Sequence, residues 1–160
     1  MADYRRHNER VLKTLEEGDL VEFDRGFIKH WGVYVGGKEI VHLYLDKHSG
    51  KGCVKKEDFW SVVEQSPVKK KNNKDQTQRA YSRDDIKKRA LSMLGPSKYC
   101  VTTFNCEHFA NLCRYGKEES AQVDTGVFVG KGVSVGIFLA IGTAVLSLMG
   151  FSSVRSMTSQ

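Results

Sequence analysis

The most informative stretch of the sequence is residues 105–116, which read NCEHFANLCRYG. Asn105 is a favoured helix N-cap and Gly116 a favoured helix stop, so the stretch predicts one short helix. Its apolar stripe consists of Cys106, Phe109, Ala110 and Cys113. Cys106 therefore lies on the first turn, beside backbone N–H groups that have no helical partner. We expect its thiol to ionise more easily than a free one, which makes Cys106 a candidate nucleophile.

Two histidines, His30 and His42, lie in strand-like segments on either side of a turn near residues 36–38. A two-residue turn would place the two side chains on opposite faces of the hairpin. A three-residue loop would pair His42 with Gly32 and place both histidines on one face, with Cβ atoms within about 7 Å. Catalysis needs this second register, so we expect Gly37 to adopt a positive φ and both rings to face the start of the cysteine helix. The opposite, core-like face carries Trp31, Val33, Val35, Val41 and Leu43.

A thiol with two imidazoles contains the groups of a covalent mechanism, in which a base activates the nucleophile and a third group orients the base. Two other interpretations stay open at this level. Each histidine could be a structural polar residue, the same three side chains could bind zinc, and His108 is expected at the surface or beside the site. The remaining cysteines are expected to be small apolar residues; they are Cys53, Cys100 and Cys113. We expect no cofactor and no metal.

Composition favours a cytoplasmic protein that contacts membranes. The four cysteines form no disulfide framework or CxxC pair, and the polar first ten residues do not resemble a signal peptide, so a reducing compartment is expected. The formal net charge of +6 suits either nucleic acid or an anionic membrane. Since the sequence contains no recognisable nucleic-acid-binding motif, we expect a membrane and no nucleic-acid partner.

The rest of the first 125 residues reads as alternating short elements. Residues 1–17 have weak helical character, residues 66–79 form a basic exposed loop, and Ser82 with Asp85 caps a helix that ends at Gly95-Pro96. Strands are predicted at residues 20–23, 30–35, 39–45 and 99–103, with residues 54–63 forming a short strand and then a helical turn.

An uncharged run occupies residues 132–151, between Lys131 and Arg155. About 20 apolar residues cross the hydrocarbon core of a bilayer as a helix. We therefore expect a C-terminal transmembrane anchor that holds a cytoplasmic catalytic domain on an intracellular membrane; a buried core helix is the alternative. Small-xxx-small spacing occurs at Gly126, Gly130, Gly132 and Gly136. This spacing leaves open a homo-oligomer formed through the tail.

Several motifs occur in an order that resembles a known family. They are GDLVEF at residues 18–23, HWGVYVG at 30–36, IVHL at 40–43, VKKEDFW at 54–60, and NCEHF and RYG at 105–109 and 114–116. This series resembles the lecithin–retinol acyltransferase-like family, which carries the LRAT domain. The likeness is greatest to its small phospholipase A/acyltransferase branch, of H-Ras-like suppressor type.

The resemblance implies an α+β fold, an NlpC-type papain-like domain in permuted order with an antiparallel sheet packed against helices. Residues 1–125 would form this thiol acyltransferase/lipase domain, with its core at 15–116, and residues 126–160 would form the linker and the anchor. By resemblance, Cys106 would be the nucleophile, His30 the general base and His42 the orienting third member.

The implied activity is phospholipase A1/A2 and phosphatidylethanolamine N-acyltransferase action on phospholipid through an acyl-thioester enzyme. Two alternatives remain. One is retinol esterification, for which the segment of residues 43–59 looks too short. The other is a non-enzymatic membrane-remodelling protein.

Overall fold

The structure, a computed structural model, describes residues 2–46, 48–99 and 104–117. Its helices are α1 (Ala2–Thr14), α2 (Phe59–Val63), α3 (Arg83–Ser92) and α4 (Cys106–Tyr115), with a 3-10 helix at Asn73–Gln76. Its strands are β1 (Leu20–Asp24), β2 (Lys29–Tyr34), β3 (Glu39–Leu45), β4 (Gly52–Asp58), β5 (Val68–Lys70) and β6 (Gly95–Ser97). All neighbouring strands pair antiparallel in one sheet of order β5-β1-β2-β3-β4-β6. The predicted α+β class is confirmed.

Helices cover both faces of the sheet, because successive residues of a strand point to opposite faces. On one face, α3 and α4 pack against the predicted core residues; this cluster includes Trp31, Val33, Val41, Leu43, Ile86, Phe109, Ala110 and Cys113. The other face is covered mainly by α2 and the end of α1; its cluster includes Leu15, Val21, Phe23, Tyr34, Ile40, Phe59, Val62 and Val68. The two histidines lie on this second face, beside Phe23, whose ring centroid is 5.9 Å from that of His30. The body of α4 packs on the first face, so the expectation that both rings face the start of this helix stays a prediction.

The hairpin between β2 and β3 has the three-residue loop that the site requires. Val33 pairs with Val41, and the Val35 N–H donates to the Glu39 carbonyl at 3.0 Å. Gly37 has the expected positive φ, at 59°, and so does the non-glycine residue Lys38, at 64°.

Gly32 lets β3 approach β2 closely. A Cβ at this position would clash with Ile40 and would lie 3.3 Å from the Cβ of His42. A side chain here would therefore displace the strand that carries the second histidine.

The helix that begins after Ser82 is capped as predicted, since the Asp85 N–H donates to Ser82 Oγ at 3.1 Å. It ends earlier than expected, at Ser92, and residues 95–97 form β6 instead. Pro96 is tolerated there because β6 is an edge strand, where a missing N–H costs no ladder bond.

The predicted exposed loop at residues 66–79 is wrong in part, because it contains β5 and the 3-10 helix. Val68 is fully buried and pairs with Phe23, while the two lysines that follow it are exposed. The lysine-rich composition of this edge strand hid its single buried residue from a pattern-based reading.

The described helices are all too short or too polar to cross a bilayer. The anchor predicted at residues 132–151 lies outside the described residues, as do the linker and all but the first residue of the strand predicted at 99–103.

Candidate active site

Helix α4 is held firmly at its first turn, where it presents Cys106. The side-chain oxygen of Asn105 accepts from the N–H groups of Glu107 and His108, at 3.0 and 3.2 Å. His108 Nδ1 in turn accepts from the Asn105 N–H at 3.2 Å, which completes a capping box. His108 is therefore a buried capping residue. Of the two positions expected for it, the surface is wrong and a place beside the site is consistent with the structure.

The far end of α4 is fixed by Arg114. Its guanidinium donates to both carboxylate oxygens of Asp75, at 2.9 and 2.6 Å, and to the Gly18 carbonyl at 2.8 Å. Gly116 ends the helix in the left-handed conformation that its sequence predicts. With both ends fixed, the position of Cys106 against the sheet is set by the whole helix.

The sulfur of Cys106 contacts the backbone of β2, close to the first histidine. Pairing between β2 and β3 covers Val33–Val41 and Tyr34–Ile40. Nearer the start of β2, Cys106 Sγ lies 3.8 Å from the Lys29 carbonyl and accepts a hydrogen bond from the Trp31 N–H. These two backbone groups flank His30 in the chain, so the thiol lies against the short segment that carries this histidine.

His30 and His42 form a buried pair, as the three-residue loop predicts. His30 Nε2 lies 2.9 Å from His42 Nδ1, and the rings meet edge to face at 88° with centroids 4.9 Å apart. Both residues are at least nine-tenths buried. Within the described part of the chain, no hydrogen bond joins Cys106 Sγ to either ring. The thiol donates instead to the Lys29 carbonyl.

A carboxylate, Glu57, completes the histidine pair, and the sequence analysis missed it. Glu57 Oε2 lies 2.8 Å from His42 Nε2, on the side of the ring that faces away from His30. A carboxylate only accepts hydrogen bonds, so His42 Nε2 carries the proton and neutral His42 Nδ1 accepts from His30 Nε2. His30 Nδ1 therefore keeps its lone pair and is the ring nitrogen that can accept a proton from a thiol.

Burial dominates the electrostatics of the site. It raises the pKa of the Cys106 thiol to about 11, although the N–H groups of Trp31, Glu107 and Cys106 itself favour the thiolate. The expectation of an easily ionised thiol is therefore wrong: desolvation outweighs the N–H groups at the helix start.

Burial also keeps the two histidines neutral. It holds the pKa of His30 well below its ordinary 6.5, and the neighbouring His42 and Arg25 act in the same direction. Burial lowers the pKa of His42 as well, but here the Glu57 carboxylate opposes it. Near neutral pH the resting site thus contains a thiol, two neutral imidazoles and one carboxylate.

The remaining candidate residues do not join this site. Cys113 is buried further along α4, where burial raises its pKa to about 12, and Cys53 is half-buried on β4. Cys100 lies outside the described residues. Within the described ranges, no group of three or more His, Cys, Asp or Glu side chains is arranged to hold a metal ion. Both ring nitrogens of His42 are already engaged, which also argues against the zinc interpretation.

Comparison with known proteins finds one family. The family model described as lecithin retinol acyltransferase matches residues 13–119. The chain is 36% identical over 154 residues to Phospholipase A and acyltransferase 2 of Homo sapiens, covering 87% of this chain and 91% of the relative. It is 32% identical over 153 residues to Phospholipase A and acyltransferase 3 of Homo sapiens, with the same coverage. It is also 26% identical over 146 residues to Lecithin retinol acyltransferase of Bos taurus, covering 71% of this chain and 60% of the relative.

The role of Glu57 can be tested by titrating the histidine rings. Glu57→Gln should lower the pKa of His42 further below 6.5, because a neutral amide no longer stabilises the imidazolium that burial already disfavours. Ring-nitrogen NMR across pH 4 to 8 would follow each histidine. The matched control is Glu39→Gln, which removes a partly exposed carboxylate at the start of β3 whose partner is Lys56. An unchanged His42 titration in Glu57→Gln would contradict the assigned hydrogen bond.

Proposed function

Since the chain belongs to the lecithin retinol acyltransferase family, we propose that it is a cysteine-dependent phospholipid acyl hydrolase and acyltransferase. The observation that carries this proposal is the contact of the Cys106 thiol with β2 on both sides of His30, together with the buried His30–His42 pair. The papain-like, permuted arrangement belongs to the same proposal, because a helix that starts with a cysteine packs against a sheet that carries the histidines.

In the first half-reaction, Cys106 Sγ attacks the ester carbonyl of a phospholipid while its proton passes to His30 Nδ1. The thiol must be deprotonated during attack rather than before it, because its pKa is raised to about 11. The resulting tetrahedral oxyanion collapses, the C–O bond to the lysophospholipid breaks, and His30 returns the proton to the departing oxygen. The acyl group is then a thioester on Cys106.

In the second half-reaction, His30 takes a proton from water or from the amine of phosphatidylethanolamine, which attacks the thioester. Water yields a fatty acid, which is phospholipase A1/A2 activity, and the amine yields an N-acyl phospholipid. Either attack releases Sγ, which recovers the proton from His30. The residues of the site do not select between the two acceptors.

Glu57 stabilises the positive charge that develops during proton transfer. The imidazolium of His30 donates to His42 Nδ1, and His42 donates through Nε2 to the carboxylate. In a buried site this carboxylate opposes the desolvation that lowers the pKa of His42. His42 thus orients His30, and Glu57 positions His42.

The oxyanion has few donors available at the start of α4. The N–H groups of Glu107 and His108 already donate to Asn105. We assign the main role to the N–H of Cys106 itself, which faces the sulfur in the resting site.

Phospholipid is favoured over retinol as the substrate class. The phospholipase A relative has the higher identity and is covered over 91% of its length, whereas the retinol-esterifying relative is covered over 60%. The connection between β3 and β4 is also short, running only from residue 46 to residue 51. The alternative function, membrane remodelling without enzymatic activity, is tested by the next experiment.

Cys106→Ala should abolish acyl transfer. We expect turnover of mixed phosphatidylcholine and phosphatidylethanolamine vesicles to fall by about a thousandfold or more, as expected when a nucleophile is lost. Mass spectrometry would quantify fatty acid, lysophospholipid and N-acyl products. Cys113→Ala is the matched control, because it removes another buried thiol from the same helix and should leave turnover within a few-fold of wild type. More than about a tenth of wild-type turnover in Cys106→Ala would contradict covalent catalysis.

We also propose that residues 132–151 anchor the protein in an intracellular membrane, with the catalytic part in the cytoplasm. The support is the sequence alone, an uncharged run bounded by Lys131 and Arg155. Ala140→Arg should release the full-length protein from membranes during an alkaline carbonate wash, because a charge at mid-span costs at least about 2.5–3.5 kcal/mol. Wild-type protein that washes off under the same conditions would contradict the anchor, and Ser156→Arg outside the run is the control.

A further inference from the structure

The turn between β1 and β2, residues 25–28, presents an apolar tip to solvent. Phe27 is 76% exposed, more than any other large apolar side chain in the described part of the chain, and the adjoining Ile28 is 38% exposed. The turn is well built, since the Arg25 N–H donates to the Ile28 carbonyl at 3.1 Å and the Gly26 N–H to Asp24 at 3.0 Å. The backbone thus holds the Phe27 side chain in water, where exposure of its apolar surface is unfavourable.

This tip lies at the same end of the sheet as the thiol. Lys29, two residues after Phe27, is the residue whose carbonyl accepts from Cys106 Sγ. Because β3 runs antiparallel to β2, its last residue, Leu45, is at this end too, and it is 38% exposed. Apolar side chains therefore surround the approach to the catalytic segment on two neighbouring strands.

Positive charge accompanies the apolar tip. Arg25 lies in the turn itself, where its guanidinium is 3.4 Å from the exposed carboxylate of Glu64. Lys55 on β4 is close enough to His42 for its charge to act on that ring. Exposed Lys51 and Lys98 lie at the same end, since Gly52 pairs with Ser97 there. An apolar tip with surrounding cations matches the two layers of an anionic membrane surface, acyl chains below and phosphates above.

We propose that residues 25–28 insert into the surface of an anionic bilayer and seat the active site on its lipid substrate. This inference rests on the proposed function, because it explains how a buried thiol reaches an ester held in a membrane. A second copy of the chain is a less favoured partner for residues 25–28 than a bilayer. Stable protein interfaces bury more than about 1,000 Å², whereas one aromatic side chain contributes about 150–250 Å². A bilayer needs no complementary surface.

The test compares full-length wild type with Phe27→Ser on two forms of lipid. Vesicles of phosphatidylcholine and phosphatidylserine require surface insertion, whereas a short-chain phospholipid below its micelle concentration does not. We expect Phe27→Ser to lower turnover of vesicles about tenfold, the loss that follows from removing one inserted aromatic side chain. Turnover of the monomeric lipid should stay within twofold.

Tyr81→Ser is the matched control. Tyr81 is an aromatic residue of 45% exposure whose N–H donates to Arg114 near the other end of α4, far from the catalytic cysteine. This variant should leave the ratio of vesicle to monomer turnover unchanged. A Phe27→Ser ratio equal to that of wild type would overturn the inference, whereas absence of wild-type turnover on both lipids would instead overturn the proposed function.

A spectroscopic measurement gives a readout that does not depend on activity. Wild type contains Trp31 and Trp60, so its emission is the baseline. Relative to that baseline, Phe27→Trp should add a blue-shifted emission, quenched by brominated acyl chains, when full-length protein is mixed with the anionic vesicles. An added emission that brominated lipid leaves unaffected would overturn insertion. So would a shift from dimer to monomer in Phe27→Ser with vesicle turnover unchanged, because a second copy would then cover the tip.

Discussion

The hydrogen bond between His30 and His42 depends on the register of a single hairpin. Shifting β3 by one residue against β2 would turn every side chain of β3 to the other face and separate the two rings. Lys38 and the glycines before it adopt positive φ to make the three-residue loop, and Gly32 leaves room for β3 to lie close. The geometry of the histidine pair is therefore set first by the backbone of this hairpin.

Burial gives the site its second constraint. A thiol, two imidazoles and a carboxylate share a region in which charged forms are costly, so the resting state is neutral apart from Glu57. This arrangement differs from one with a preformed thiolate. In the proposed mechanism the thiol loses its proton only as it attacks, and the carboxylate beyond the histidine pair limits the cost of the positive charge that appears.

Local signals in the sequence were enough to predict the cysteine helix and the hairpin loop. Asn105 and Gly116 predicted the bounds of the cysteine helix because capping depends on neighbouring residues only, and the loop near Gly37 followed from the demand that two histidines share a face. Glu57 could not be found in this way. It reaches His42 only because β4 pairs with β3, and within VKKED it looks like one more solvent-facing charge. The raised pKa of Cys106 was missed because burial of the first helical turn depends on how α4 packs on the sheet.

The central claim is that Cys106 carries the acyl group between donor and acceptor, and trapping that thioester tests it most directly. Full-length protein would be exposed briefly to a phospholipid with one defined acyl chain, quenched in acid and digested with trypsin. The fragment of residues 99–114 contains three cysteines, so tandem mass spectrometry must assign the site. The account predicts the acyl mass on Cys106 and its removal by hydroxylamine. Product formation without an adduct, or an adduct confined to Cys100 or Cys113, would contradict it.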